Sequence, residues 1–457
     1  MKKLKWIPTD TASIMFTSLT SRNWGRTFAF SMVLKDEIDP ALLRAAVSDV
    51  LPHYPSASSD LRSGFFWRYQ AVVDAAPEIR PEAQRPLMPI TARQKGLPNL
   101  RFVYAGKTVT LEAAHCIGDG RGVMRIFEEI MARYVFLLGG GKGAYVPLGS
   151  ADETTENAFD TYCIKGGEQP TGRKAPAFHF AEHYDADYLR LLFAEMSKDK
   201  VKALAHSHGM TVTEYLGSVL VLGVIRSTPE PITQPITLSV PVDLRRFFPT
   251  KTLRNFTIES QIAFSPCGKR DFTLNEICTA MQGALKAELK AEKLRLFLNQ
   301  FGALKNNPVL QAVPYAIKKP VLAALQKNGH KDATTIFTNL GERTPPAPLC
   351  ESIERYRFMN GDTRRYGLPV TCSCVSFGDT LSLCFSRANR EPAWFDACVE
   401  ILRGEGLAVT TEIREGAARC TTPPKPKREH LGTAEAVKAF FNVNKSGKKE
   451  DRRIQKS

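Results

Sequence analysis

Positions 115–120 read His-Cys-Ile-Gly-Asp-Gly, a histidine and three intervening residues before Asp119-Gly120. The stretch 107–115 has the pattern of a strand running into this motif. Residues 123–134 carry apolar side chains at helical spacing. A histidine at the end of a strand, followed by a tight turn into a helix, is well placed to serve as a general base. Its competing reading is a buried structural histidine. Cys116 points to the other face of an extended chain and is not read as a nucleophile. The other chemistry-bearing clusters are weaker. His206-x-His208 and His179-x-x-x-His183 each lack a third ligand nearby. Cys372-x-Cys374 lies on one face of an expected strand with Cys384 across a hairpin; zinc fits there, but packed thiols fit the spacing better. No metal is expected.

The elements that must position the histidine alternate between strand and helix. Residues 26–34 predict a strand. Asp39-Pro40 offers a helix cap with proline at the first turn, and Leu42, Leu43, Ala46, Val47 and Val50 follow at helical spacing up to Pro52. Strands are expected at 65–73 and 100–104, with a turn at 105–107. Residues 138–175 carry a glycine-rich patch and little periodicity, which suggests a crossover between two lobes. That patch is not a phosphate-binding loop, because Gly141-Lys142 is followed by Gly143 rather than Ser or Thr. In the second half an extended stretch is expected at 188–196 and a helix at 198–208 stopped by Gly209. Thr211-x-x-Glu214 is a capping box opening a helix over 215–225. Strands are expected at 235–242, 256–264, 334–340, 353–359, 368–377 and 380–387, the last two forming a hairpin at Gly378-Asp379. Helices are expected over 273–304, 309–327 and 393–402.

A chain of 457 residues can bury a large core and suggests two or three domains. Ten cysteines over that length are not a dense disulfide framework and suit reduced thiols. The N-terminus is basic but turns polar before any apolar run of signal-peptide length, and the longest apolar stretch, 216–225, is too short to span a bilayer. A cytoplasmic protein is therefore expected. The net charge is +15, and residues 421–457 hold ten Lys/Arg against four Asp/Glu. That tail is expected to be solvated, with weak contact to an anionic surface as its other reading. The basic body suits a polyanionic ligand such as coenzyme A. No nucleic-acid motif accompanies it, so no nucleic-acid partner is expected.

With these elements placed, the chain resembles the acyltransferase superfamily of chloramphenicol acetyltransferase, plant BAHD enzymes, peptide-synthetase condensation domains and alcohol acetyltransferase-like proteins. Four segments carry the resemblance: His115-x-x-x-Asp119-Gly120; Pro241-Val-Asp-Leu-Arg245-Arg-Phe-Phe-Pro249 continuing to Arg254-Asn255-Phe256; Phe337-Thr338-Asn339-Leu340-Gly341; and Asn23-Trp24-Gly25-Arg26. Position 114 is alanine where condensation domains usually have a second histidine, and the Asp-Phe-Gly-Trp-Gly motif of BAHD enzymes is absent. The alcohol acetyltransferase-like branch remains.

The resemblance implies a two-lobed α/β fold, each lobe a mixed sheet flanked by helices, with a tunnel between them. It places an N-terminal lobe at 1–150, a crossover at 151–175, a C-terminal lobe at 176–420 and a tail at 421–457. The implied activity is transfer of an acyl group from acyl-CoA, a co-substrate and not a resident cofactor, to a small-molecule alcohol. His115 would be the base, with no acyl-enzyme. Asp119 would pair with an arginine, Arg26 first and Arg245 second, to shape the loop. Gly120 would leave room for substrate or a tight turn. Thr338, Asn339 and Asn255 would stabilise the oxyanion or position the acceptor. Two alternatives stay open: an amine acceptor or carrier-protein-bound donor, and a non-catalytic acyl-CoA or small-molecule binding protein of the same fold.

Overall fold

The computed structural model describes residues 5–416, apart from 22–23, 83–86, 92–94, 172–174, 181–188, 329–330, 362, 364–366 and 389–392. Asn23, His183 and the tail at 421–457 therefore lie outside the described residues. The chain opens with β1 (Trp6–Pro8), α1 (Thr11–Ser18), β2 (Thr27–Leu34) and α2 (Pro40–Val50). It continues through β3 (Ser59–Ser63), β4 (Arg68–Val72), β5 (Glu78–Pro81), β6 (Leu100–Ala105), β7 (Thr108–Ala114), α3 (Gly120–Leu138) and α4 (Ala158–Tyr162). The second half begins β8 (Leu189–Ser197), α5 (Lys198–Ser207), α6 (Val212–Ser227), β9 (Ile236–Asp243) and β10 (Thr257–Phe264). A helical run follows: α7 (Leu274–Met281), α8 (Ala284–Glu288), α9 (Ala291–Asn306), α10 (Pro308–Ala312) and α11 (Tyr315–Asn328). The described chain closes with β11 (Thr335–Arg343), α12 (Leu349–Ser352), β12 (Ile353–Asn360), β13 (Val370–Phe377), β14 (Thr380–Arg387), α13 (Ala393–Gly404) and β15 (Thr410–Gly416).

Local chemistry explains many of these boundaries. Asp39 caps α2 by accepting from the backbone N–H of Ala41 and Leu42, and Pro40 occupies the first helical position. Thr211 and Glu214 form both halves of a capping box at α6. Gly209 (φ +64°) and Gly378 (φ +56°) take the left-handed backbone their turns need. The helix expected over 273–304 is instead three: the chain turns at Gln282–Gly283, where Gly283 has φ +74°, and again at Leu289–Lys290, where Lys290 is extended. The strand expected from residue 65 starts at Arg68, since Gly64–Trp67 close a hairpin turn through Gly64 N–H to Trp67 O. The short elements β1, α1, β3, β5 and β15 carry no clear period and escape sequence reading.

The strands form three sheets. The five-stranded sheet runs β12-β2-β7-β6-β5, the seven-stranded one β10-β9-β11-β13-β14-β8-β15, and the small one β1-β4-β3. The two large sheets are mixed: β5–β6 in one, and β9–β11 and β11–β13 in the other, pair parallel, while the remaining ladders are antiparallel. Helices α2 and α3 cover the five-stranded sheet in one apolar core; α6 and α13 cover the seven-stranded sheet in a second. Strand β12 follows β11 in sequence yet pairs antiparallel with β2, so late sequence completes the early sheet. Helix α6 is buried almost throughout, and each Leu, Val or Ile it hides is worth roughly 1.5–3 kcal/mol. Among the described residues no single helix is long and apolar enough to cross a membrane; the bent pair α5–α6 passes by length and composition, but α6 is a core helix.

Candidate active site

His115 sits one residue beyond β7, and its backbone N–H donates to the carbonyl of Arg26 just before β2 at 2.9 Å. The five-stranded sheet thus holds the start of the motif. The imidazole lies between Phe16 of α1 (ring centroids 4.3 Å) and Phe28 of β2 (5.0 Å). Its Nδ1 is 3.0 Å from Oδ1 of Asn255, which precedes β10 in the other half of the chain.

The orientation of that amide follows from its other contacts. Asn255 Nδ2 donates towards Asp10 Oδ2 (3.1 Å), Ser13 Oγ (3.0 Å) and the His115 carbonyl (3.0 Å). Its oxygen must then face the ring and accept a hydrogen bond from Nδ1–H. The imidazole is fixed as the Nδ1–H tautomer, which leaves Nε2 as its basic atom. Burial, reinforced by the nearby Arg26 cation, pulls the His115 pKa down to about 3. The ring is therefore neutral at pH 7. It still keeps an exposed edge on a cleft lined by Phe16, Thr20, Arg26, Asp60, Asn99 and His115, among others. The cavity there is about 20 Å³, room for one or two waters.

Asn255 was expected to bind the oxyanion or the acceptor. The geometry instead has it orient the His115 ring, because its donor atom is already directed at three protein acceptors. Its own supports are residues that sequence reading missed. Asp10 caps α1 through Ser13 N–H (2.7 Å), accepts from Ser13 Oγ (2.7 Å) and lies 3.5 Å from Arg254 Nε. Arg254 is fully buried and reaches Gln70 Oε1 (3.2 Å), while Gln70 Nε2 donates to the Cys116 carbonyl (2.9 Å). Asp10-Thr-Ala-Ser13 is a helix-cap pattern, the one local signal that pointed here.

Asp119 caps α3 through Gly122 N–H (3.0 Å). Its other oxygen accepts from Arg245 Nη1 (2.9 Å) and Phe256 N–H (2.9 Å). All its contacts are structural, and it is buried. The first-choice partner was Arg26, and the structure corrects this to Arg245. Arg26 instead lies over the Phe16 ring at 4.5 Å, with Glu259 at 3.9 Å. Arg245 also bonds Asp243 and the carbonyls of Thr252 and Arg254, so it binds the motif to the 243–256 segment.

The steric demand of the motif falls on glycines other than Gly120. A Cβ on Gly120 would meet only the flexible tip of Leu340, at 3.2 Å, and its φ is not in the left-handed region. A Cβ on Gly122 would stand 1.8 Å from the Leu253 carbonyl oxygen, and one on Gly118 2.6 Å from the same atom. Backbone against backbone cannot yield cheaply, so glycine at 118 and 122 lets the 252–254 segment close over α3.

Thr338 and Asn339 lie on β11. Phe337 faces the core beneath α6, so Thr338 faces the opposite side. There its β13 partner Ser373 donates to the Phe358 carbonyl of β12. Thr338 thus looks towards the other lobe. Asn339 does not serve as an oxyanion donor in this geometry: its Nδ2 donates to Thr213 Oγ1 (3.0 Å) and its Oδ1 accepts from Gly341 N–H (2.8 Å), pinning a bulge. Cys116 is buried, which pushes its thiol up to about 12, an inert thiol. Cys372 and Cys374 point into the α6 core, whereas Cys384, paired with Ser373, points to the other face. The three sulfurs therefore do not converge. The His208 ring stacks on Tyr215, and His179 Nε2 contacts the Lys331 carbonyl.

No family model matches the chain, and no curated protein matches it by sequence. Solved structures do match. Polyketide synthase associated protein 5 from Mycobacterium tuberculosis is similar with a TM-score of 0.59 at 17% identity, over 88% of this chain and 98% of that one. TRI101 of F. sporotrichioides, complexed with coenzyme A and T-2, is similar with a TM-score of 0.59 at 10% identity, over 88% and 99%. The first condensation domain of the CDA synthetase is similar with a TM-score of 0.57 at 11% identity, over 89% and 96%. The chain has the chloramphenicol acetyltransferase-like fold shared by these acyltransferases and condensation domains.

Proposed function

We propose that this protein is an acyltransferase that moves an acyl group from acyl-CoA to the hydroxyl of a small-molecule alcohol, with His115 as general base. The observation that carries the reading is the contact from Asn255 Oδ1 to His115 Nδ1, which leaves Nε2 as the basic atom of a neutral ring on the cleft. Nε2 takes the acceptor's O–H proton as that oxygen attacks the thioester carbonyl. The tetrahedral intermediate then expels the thiolate, which takes the proton back from Nε2. The ring ends as it began, and no acyl-enzyme forms. A ring this weakly basic holds no resident proton, so proton transfer accompanies attack.

The Thr338 hydroxyl, on the side of β11 that faces the other lobe, is the candidate oxyanion donor. Removing such a donor typically costs about 10²–10³ in turnover. Donor and acceptor approach along the seam between the lobe of the five-stranded sheet, which β12 completes, and the lobe of the seven-stranded sheet. The small cavity beside His115 must widen to admit either. Support for coenzyme A as donor comes from the TRI101 structures of the same fold, which contain it. The decisive experiment measures thiol release from acyl-CoA panels against alcohols and amines. Product should be an ester and should vanish for His115→Ala, with melting temperature retained. Near-normal turnover of that variant overturns the role of His115, and amide product overturns the alcohol acceptor.

A further inference from the structure

Helix α11 mixes polar and apolar residues on both faces. Beside Tyr315 and Leu322 it buries Lys318 and Gln326, and beside Lys327 and Asn328 it presents Ala316, Ile317 and Pro320 to solvent. Lys318 Nζ donates to the Leu310 carbonyl (2.5 Å) and lies 3.3 Å from the centre of the Trp67 ring. Beside it stands the β3–β4 hairpin tip, joined through Tyr315 N–H to the Phe65 carbonyl at 2.7 Å. That tip exposes Phe65 (70%) and Phe66 (44%), and Ile317 is 64% exposed. Aromatic side chains at a hairpin tip next to an outward apolar helix face do not arise from core packing, because the core lies on the other side of both.

The charge around this patch selects its occupant. Residues 306–331 contain Lys318, Lys319, Lys327 and Lys331 and no Asp or Glu, and Lys327 and Lys331 are exposed. A two-fold contact between copies would set these lysines against themselves. An anionic lipid surface complements them, and it accepts aromatic side chains at the depth of its headgroups. We infer that the Phe65–Phe66 tip and the outer face of α11 dock this protein on anionic membranes. The docking face backs directly onto the cleft. Lys319 on α11 donates to the Thr20 carbonyl at 3.3 Å, and Thr20 lines the cavity beside His115. The inference does not depend on the proposed reaction.

The test is co-sedimentation of the full chain with phosphatidylcholine vesicles holding about 30% phosphatidylglycerol, against pure phosphatidylcholine, at low and high salt. The wild type should partition onto the anionic vesicles and be released by salt. The triple variant Phe65→Ser, Phe66→Ser, Ile317→Ser should bind at least about tenfold more weakly with an unchanged melting temperature, since all three side chains are exposed. Lys327→Glu with Lys331→Glu should weaken binding comparably. Three outcomes overturn the inference. They are absence of wild-type binding, equal binding by the triple variant (the basic tail then carries it), and a wild-type dimer in solution that the triple variant abolishes.

Discussion

Asn255 Oδ1 lies 3.0 Å from His115 Nδ1, across 140 positions of sequence. One half of the chain supplies the imidazole, and the other sets which of its nitrogens carries the proton. Asn255→Ala should therefore lower kcat by about 10²–10⁴ with a much smaller change in KM, as loss of a tautomer-setting partner does in hydrolytic triads. A merely structural role would instead lower the melting temperature and leave kcat of the folded fraction intact. Steady-state kinetics beside thermal unfolding separates the two.

The low pKa of His115, about 3, has a defined sign for activity and for stability. The ring stays neutral down to acidic pH, so kcat/KM should show no inflection near 6.5, the ordinary histidine value. Arg26 contributes to the depression by opposing the imidazolium, and Arg26→Gln should move the acid limb upward towards 6.5. The folded chain also binds this proton less readily than the unfolded chain does. The stability tied to the neutral ring is complete above about 6.5 and is lost as pH falls towards about 3. His115→Gln should flatten that part of a stability–pH curve.

Asp119 and Arg245 form a buried pair at 2.9 Å; removing Asp119 leaves Arg245 with Asp243 as its remaining carboxylate and takes away the acceptor of the Gly122 and Phe256 N–H groups. Asp119→Ala should destabilise the fold by about 3–5 kcal/mol. Arg26→Ala leaves the pair whole and should cost far less. Denaturant unfolding of both variants distinguishes the two arginines, and equal losses would contradict the pairing.

Gly122→Ala should cost about 1–3 kcal/mol or more, because its Cβ falls on the Leu253 carbonyl. Gly120→Ala meets only the Leu340 tip and should fold nearly as well as wild type. Melting temperatures in the reverse order would show that the 252–254 segment does not close over α3 as described.

Much of the scaffold was legible from local rules. The strand at 108–114, the helix after Asp119, the cap at Asp39, the capping box at Thr211 and the hairpin at Gly378 each follow from period or capping, which act over a few residues. The proposed base could be picked out the same way, since a histidine between a strand and a helix announces its position. What surrounds it could not. Whether Asp119 meets Arg26 or Arg245, whether Asn255 turns its oxygen to the ring or its nitrogen to a substrate, and that Asp10 and Ser13 stand behind it all depend on contacts over more than a hundred residues. Helix α1 shows no strong amphipathic period, because most of its residues are buried, so its place at the site was invisible. Strand β12 crosses to the early sheet for the same reason: a strand's own pattern says which of its faces is apolar, not which neighbour it will pair with. Sequence singled out His115, and tertiary packing chose its tautomer, its partners and its charge.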